Sequence, residues 1–154
     1  MVYLDLSNQN LTEIPIIPDD VTELALENNK ITHIPQGCFP LGLRELDLDY
    51  NEITEISQDC FPSNLKTLCL SYNKISTLSQ NCFPIGLQTL YIQHNQITTL
   101  FRDCFPHTLE TLYLHDNKIS KFPQFLTELV YLRSFYCDEN LTKTCDEYTK
   151  AWVN

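Results

Sequence analysis

The side chains with the most chemical capacity are seven cysteines and a histidine pair, His94 and His115, with Asp116 close by. Such groups could form disulfides, hold zinc or sense pH. None of the cysteines belongs to a C-x-x-C pair, and four recur every 22 residues, at Cys38, Cys60, Cys82 and Cys104. A zinc site needs four ligands converging on one point, which a column with one cysteine per repeat does not favour. We therefore predict no metal and no other cofactor, and keep a metal or pH-sensing role of the two histidines as the alternative.

The cysteine column is best interpreted as a set of small buried apolar groups. Rungs of a repeat lie roughly 5 Å apart, which would permit disulfides between neighbouring cysteines. The first residues, MVYLDL, lack the basic and apolar regions of a secretory signal, and a reducing compartment keeps thiols free. We expect an intracellular protein with free thiols. Disulfides between rungs, and a Cys137–Cys145 bridge, are the alternatives.

A repeat of 22 residues organises almost the whole chain. Four blocks align directly: CFPLGLRELDLDYNEIT, CFPSNLKTLCLSYNKIS, CFPIGLQTLYIQHNQIT and CFPHTLETLYLHDNKIS. Their shared asparagine recurs at Asn29, Asn51, Asn73, Asn95, Asn117 and Asn140, with Gln9 in its place at the start. We predict about seven repeats over residues 1–141 and a C-terminal cap over residues 142–154.

The core of each block, L-x-x-L-x-L-x-x-N-x-I, resembles the consensus of the leucine-rich repeat family. The longer motif, C-F-P-x-x-L-x-x-L-x-L-x-x-N-x-I, is similar to repeats of amoebae and of the giant viruses that infect them. The resemblance implies an α/β-type solenoid with a curved parallel β-sheet on its concave face. It also implies a non-enzymatic protein that binds other proteins through that face. A viral origin would place the chain in the host cytoplasm or the virion.

The residue pattern agrees with a solenoid. Leu46 and Leu48 are two residues apart and share one face of a strand, which only a neighbouring copy of the repeat can bury. The asparagine amide can pair with backbone groups where the strand ends. Phenylalanines recur with the same period, and a proline follows each of them directly: Phe39, Phe61, Phe83 and Phe105. Because proline fixes φ and has no N–H, this pattern predicts an irregular or 3-10 convex side.

The C-terminal part of the chain departs from the repeat pattern. Leu126, Leu129 and Leu132 are spaced three apart, which favours a short helical turn on the convex side. Tyr148 and Trp152 would share one face of the predicted helical cap.

Two sets of exposed strand positions form the predicted partner-binding surface. The acidic zone comprises Asp5, Glu23, Glu27, Glu45, Asp47 and Asp49. The tyrosine–histidine zone comprises Tyr50, Tyr72, Tyr91, His94, Tyr113, His115 and Tyr136. Tyrosine is enriched in interface cores, but it is also favoured in strands, so aligned rings could instead stiffen the sheet. Both interpretations stay open from the sequence.

The net charge of −10 argues against nucleic acid and anionic membranes as partners, and favours a basic protein. No apolar run approaches the roughly 20 residues that span a bilayer. The sequence shows no phosphate loop, Ser/His/Asp set or metal motif of the kind that would indicate an enzyme. The alternative function is a structural protein that self-associates end to end through its uncapped first repeat, although we expect a monomer.

Overall fold

The computed structural model describes residues 1–142, and its main feature is a seven-stranded parallel sheet. Each of these strands is three residues long and belongs to one repeat. The strands are β1 Tyr3–Asp5, β2 Glu23–Ala25, β3 Glu45–Asp47, β5 Thr67–Cys69, β7 Thr89–Tyr91, β8 Thr111–Tyr113 and β9 Ser134–Tyr136. Their order in the sheet follows the chain, as expected for a solenoid in which each turn packs on the turn before it.

The register of the sheet places equivalent repeat positions side by side. Leu46 of β3 pairs with Leu24 of β2 and with Leu68 of β5, and the same register continues to β9, where Phe135 takes the leucine position. The middle residue of each strand of this sheet from β2 to β9 is buried, whereas the residue before it is exposed or half-buried. Because the side chains of a strand alternate between faces, the leucines enter the core and the flanking residues line the open face of the sheet.

The predicted asparagine ladder is confirmed from Asn29 to Asn117. Asn73 is typical: its Oδ1 accepts from the Ile53 N–H at 3.0 Å, and its Nδ2 donates to the carbonyls of Leu48 and Leu70 at 2.9 and 3.2 Å. Each asparagine thus joins its own turn to the previous one through backbone groups that would otherwise be buried without partners. The side chain of Asn140 lies outside the described residues.

The predicted phenylalanine column is present on the side of the solenoid opposite the large sheet. Phe39, Phe61, Phe83 and Phe105 are buried, and successive rings stack with centroids 6.3, 6.3 and 5.9 Å apart. This wall is mostly irregular. A 3-10 helix at Gln124–Glu128, with Leu126 buried, confirms the predicted helical turn.

A second, two-stranded parallel sheet was not expected from the sequence. It pairs β4 (Glu55–Ile56) with β6 (Thr77–Leu78). In each strand the first residue is exposed and the second is buried, as expected for a strand with one face toward the core. The two strands belong to adjacent turns and pair in register as a short ladder.

A four-residue helix, α1, occupies Glu139–Thr142. The predicted cap over residues 142–154, including Tyr148 and Trp152, falls outside the described residues beyond Thr142. Within residues 1–142, no helix has the length and apolar character needed to cross a membrane.

Candidate functional site

The acidic zone lies on the open face of strands β1 to β3 and just beyond their ends. The parallel register sets Glu23 beside Glu45, and sets Asp47 between Ala25 and Cys69. These side chains border a shallow depression of about 200 Å³ on the open face of the sheet. A shallow depression with carboxylates at its rim suits a long cationic side chain, which can place its charge in contact with them.

The carboxylates of this zone influence one another. Partial burial raises the pKa of Glu27, and the neighbouring carboxylate of Asp47 raises it further. Burial, aided by the charge of Asp47, raises the pKa of Asp49 to about 6, even though its Oδ1 accepts from the Ser71 N–H at 2.6 Å. In contrast, hydrogen bonds from Ser7 lower the pKa of Asp5.

No carboxylate of the acidic zone forms an ion pair with a lysine or arginine of residues 1–142. The basic side chains that pair with carboxylates there do so elsewhere, as in Lys74–Glu52 at 2.7 Å and Arg102–Glu128 at 2.7 Å. The zone therefore presents several negative charges without an internal counter-charge, which favours a cationic ligand.

The residue before each ladder asparagine from Asn29 to Asn117, and the residue before Gln9, has a left-handed backbone. The φ values of this left-handed column lie between 53° and 58°, at Asn8, Asn28, Tyr50, Tyr72, His94 and Asp116. Asparagine, aspartate and histidine tolerate this conformation better than tyrosine does. Tyr50 and Tyr72 nevertheless adopt it, and their rings stack at 4.4 Å with planes 7° apart. The stack continues from Tyr72 to His94 at 4.1 Å.

A second aromatic column runs along the strands themselves. Tyr91 and Tyr113 have centroids 4.9 Å apart with tilted planes, and Tyr113 stacks on Tyr136 at 4.2 Å. A hydrogen bond with the Tyr136 hydroxyl raises the pKa of Tyr113. Since the rings contact one another, the arrangement fits both a prebuilt binding surface and a stiffened sheet.

His115 connects the two aromatic columns. Its ring lies 6.2 Å from that of Tyr113 and 5.5 Å, edge to face, from that of His94. The structure thus brings the predicted tyrosine–histidine zone together as one surface, although Tyr50 and Tyr72 belong to the left-handed column rather than to the column of Tyr91. Asp116 completes this surface, and its carboxylate contacts both histidines.

A groove on the opposite side of the solenoid was missed by reasoning from the sequence. It has a volume of about 610 Å³ and runs along Phe61, Phe83 and Phe105, with Ile85 and Arg102 at its rim. Ile85 is 80% exposed. An apolar residue directly after the C-F-P motif was the one available signal, and it recurs at Leu41 but not in the two remaining blocks.

The cysteine column packs as predicted. Cys60, Cys82 and Cys104 are buried, Cys38 is half-buried, and none of these four is in a disulfide. Burial raises the pKa of Cys60 and Cys104 to about 12, which keeps both thiols protonated and unreactive. The proposed Cys137–Cys145 bridge stays a prediction because Cys145 lies outside the described residues.

A one-strand, one-asparagine repeat stacked into a parallel sheet defines a leucine-rich repeat solenoid. The leucine rich repeat family pattern matches residues 19–61, 41–84 and 85–141, and the chain belongs to this family. No curated protein matches the sequence significantly.

Solved structures of similar fold include the Shigella effector LRR domain, with a TM-score of 0.66 and 27% identity over 79% of this chain and 52% of that one. They also include TLR13 in its complex with ssRNA13, with a TM-score of 0.77 and 24% identity over 88% of this chain and 21% of that one. The chain thus matches about half of the Shigella chain and a fifth of the TLR13 chain. Both likenesses agree with the leucine-rich repeat fold, and members of this family are generally non-enzymatic interaction scaffolds.

Proposed function

We propose that this chain is a non-enzymatic module that binds a protein segment on the open, concave face of the seven-stranded sheet. Basic side chains of the partner contact the acidic zone, and an apolar or aromatic anchor packs on the tyrosine–histidine zone. The observation that carries the proposal is the gathering of six carboxylates and seven aromatic or imidazole side chains on one face, at adjacent positions of successive turns.

The acidic zone supports the basic half of the partner. Its carboxylates lack a lysine or arginine counter-charge within residues 1–142, so a cationic segment would meet unscreened negative potential. Complementary charge accelerates encounter and excludes wrongly charged partners more than it adds affinity. The same negative potential disfavours nucleic acid. The RNA in the TLR13 complex is therefore no reason to expect RNA as a partner of this chain.

The tyrosine–histidine zone supports an anchoring role. Tyr50, Tyr72 and Tyr136 are 50, 42 and 41% exposed although each stacks on a neighbour. Rings already held by stacking lose little further freedom on binding, and tyrosine offers a large contact area for few rotatable bonds. A cation over such a ring adds about 0.5–2 kcal/mol.

The test uses synthetic peptides rather than an unidentified partner. We expect Lys/Arg-rich peptides that carry one tryptophan to bind more tightly than charge-matched peptides without it, as measured by fluorescence anisotropy at low and high salt. The Tyr91→Ala/Tyr113→Ala double variant should lose the tryptophan-dependent part of the affinity. The Glu45→Gln/Asp47→Asn double variant, which removes two of the six carboxylates, should show a clearly weaker salt dependence.

Matched controls lie outside both zones. Tyr131→Ala removes a tyrosine that is 57% exposed, and Glu13→Gln/Asp59→Asn removes two charges. Both controls should bind as the unaltered chain does, and all variants should keep cooperative thermal unfolding. If the control variants weaken binding as much as the zone variants do, the open face of the sheet is the wrong site.

The alternative of end-to-end self-association predicts a different result. Light scattering coupled to size exclusion would then show concentration-dependent assembly that neither double variant alters. A monomer at all concentrations excludes this alternative.

A further inference from the structure

Three side chains with metal-ligating atoms converge at the end of strands β7 and β8. His94 Nδ1 lies 3.4 Å from Asp116 Oδ2, and His115 Nε2 lies 3.8 Å from the same oxygen. All three ligand atoms lie within 4.8 Å of one another. We propose that His94, His115 and Asp116 form an open binding site for a divalent transition metal of the zinc class.

The donor set fits the chemistry of such an ion. Zinc binds imidazole nitrogen and carboxylate oxygen at about 2.0–2.2 Å, and sites with three protein ligands leave a fourth position for water or an external group. Ligand atoms of a tetrahedral site are then roughly 3.3 Å apart. The two distances to the Asp116 oxygen are within about 0.5 Å of that value. The two imidazole nitrogens lie within 4.8 Å of each other, so binding needs a closure of His115 toward His94 of at most about 1.5 Å.

The backbone holds these ligands in place. His94 and Asp116 occupy the left-handed column in adjacent turns, with φ of 55° and 53°. The His94 N–H donates to the His115 carbonyl at 3.1 Å, and the Asp116 N–H donates to Asp138 Oδ1 at 2.8 Å. Tyr72 covers one face of the His94 ring at 4.1 Å. The side chains converge because of the repeat itself and need no large rearrangement to bind an ion.

His115 has one ring nitrogen facing the proposed site and one facing the protein. Its Nδ1 is buried and lacks a hydrogen-bond partner within residues 1–142, and the same holds for Oε1 of Gln93, which occupies the same repeat position one turn earlier. A histidine that ligates a metal through Nε2 carries its proton on Nδ1, and that N–H is normally held by a nearby acceptor. Gln93 Oε1 and His115 Nδ1 are not hydrogen-bonded to each other in the structure, so Gln93 could hold this N–H only after the two side chains approach.

Solvent access agrees with an open site. The side chains of His94 and His115 are 33 and 31% exposed, and that of Asp116 is 55% exposed. An ion can therefore enter directly from solvent.

A second cluster of potential ligands, Asp47, Asp49 and Cys69, is less suited to a metal. Asp47 Oδ1 already accepts from the Asp49 N–H, and Asp49 Oδ1 from the Ser71 N–H. Burial raises the pKa of the Cys69 thiol, which opposes the thiolate that zinc needs. The histidine cluster is therefore the site.

Zinc itself is the probe in the test, which uses the full chain and a non-thiol reductant. Titration against a chromophoric chelator should give one bound Zn²⁺ per chain. His94→Gln and Asp116→Asn should each weaken that binding about tenfold or more. The matched controls, His107→Gln and Asp103→Asn, alter exposed residues of the opposite wall and should leave it unchanged.

Co²⁺ replacement identifies the ligands. The spectrum should show the bands of a nitrogen- and oxygen-ligated ion, and they should disappear in His94→Gln. A strong thiolate-to-cobalt band would show that cysteines bind the ion and would overturn the proposal. Absence of saturable one-to-one binding, or equal weakening in the controls, would overturn it as well. The metal site does not depend on the proposed partner, and peptide binding with and without Zn²⁺ reports on the two separately.

Discussion

The ring of Tyr72 lies on the imidazole of His94, with centroids 4.1 Å apart and planes 20° from parallel. Both residues have a left-handed backbone, with φ of 55°. This conformation is costly for a tyrosine, on the order of 1–3 kcal/mol. Residues held in such regions cluster at functional sites, and here the strained position places an aromatic ring against one of the proposed metal ligands.

Two substitutions of Tyr72 separate the strain from the stacking. Both Tyr72→Asn and Tyr72→Ala remove the ring, but asparagine tolerates the left-handed conformation and alanine does not. We expect Tyr72→Ala to be less stable than Tyr72→Asn by about 1 kcal/mol in chemical denaturation. Equal stabilities would show that the backbone relaxes when the ring is removed.

The asparagine ladder should be essential to stability. Asn73→Ala leaves the Ile53 N–H and the carbonyls of Leu48 and Leu70 without their side-chain partner, so the free energy of unfolding should fall by about 2–4 kcal/mol. Urea denaturation followed by circular dichroism measures this loss. Asn64→Ala is the control, because its exposed amide makes one hydrogen bond, to the Leu41 carbonyl, and its loss should cost less than about 1 kcal/mol.

The phenylalanine column should contribute through packing. Phe83 is buried between Phe61 and Phe105, and Phe83→Ala should lower the free energy of unfolding by about 3–5 kcal/mol. Phe101→Ala is the matched control, because that ring is 48% exposed and its removal leaves a much smaller cavity. A similar loss in both variants would contradict a specific role of the column.

The repeat made the large sheet predictable. A turn that holds one strand cannot bury its own leucines, so a strict period in leucine, asparagine and phenylalanine is enough to dictate both the stacking of turns and their register. The short β4–β6 sheet was not predictable, because a two-residue pattern such as Glu55–Ile56 carries no periodicity that distinguishes strand from turn.

The candidate site was predictable only as a set of columns. Period alone placed Tyr91 beside Tyr113, but it did not show that Tyr50 and Tyr72 have a left-handed backbone, since that conformation is rare for tyrosine. The meeting of His94 with the Asp116 carboxylate depends on this shared conformation. The burial of Asp49 likewise depends on residues that are close in space, and the repeat pattern does not show how deeply they bury its carboxyl group.

Asp49 should make stability depend on pH. Its pKa is raised from 3.8 to about 6, first by burial and then by the charge of Asp47, so the folded protein favours the protonated carboxyl. This preference contributes stability that is fully present below about pH 4 and is lost as the pH rises through about 6. Asp49→Asn keeps an oxygen that can accept from the Ser71 N–H but carries no charge.

We therefore expect Asp49→Asn to be more stable than the unaltered chain at pH 7.5 by about 1 kcal/mol, a value reduced because the carboxyl is partly solvated. The gain should shrink toward zero between pH 6 and 4, as denaturation midpoints measured across that range would show. Asp20→Asn, an exposed substitution outside the acidic zone, should show no such trend. A constant difference at every pH would mean that the Asp49 charge is not the cause, since only an ionisation can produce a change confined to this window.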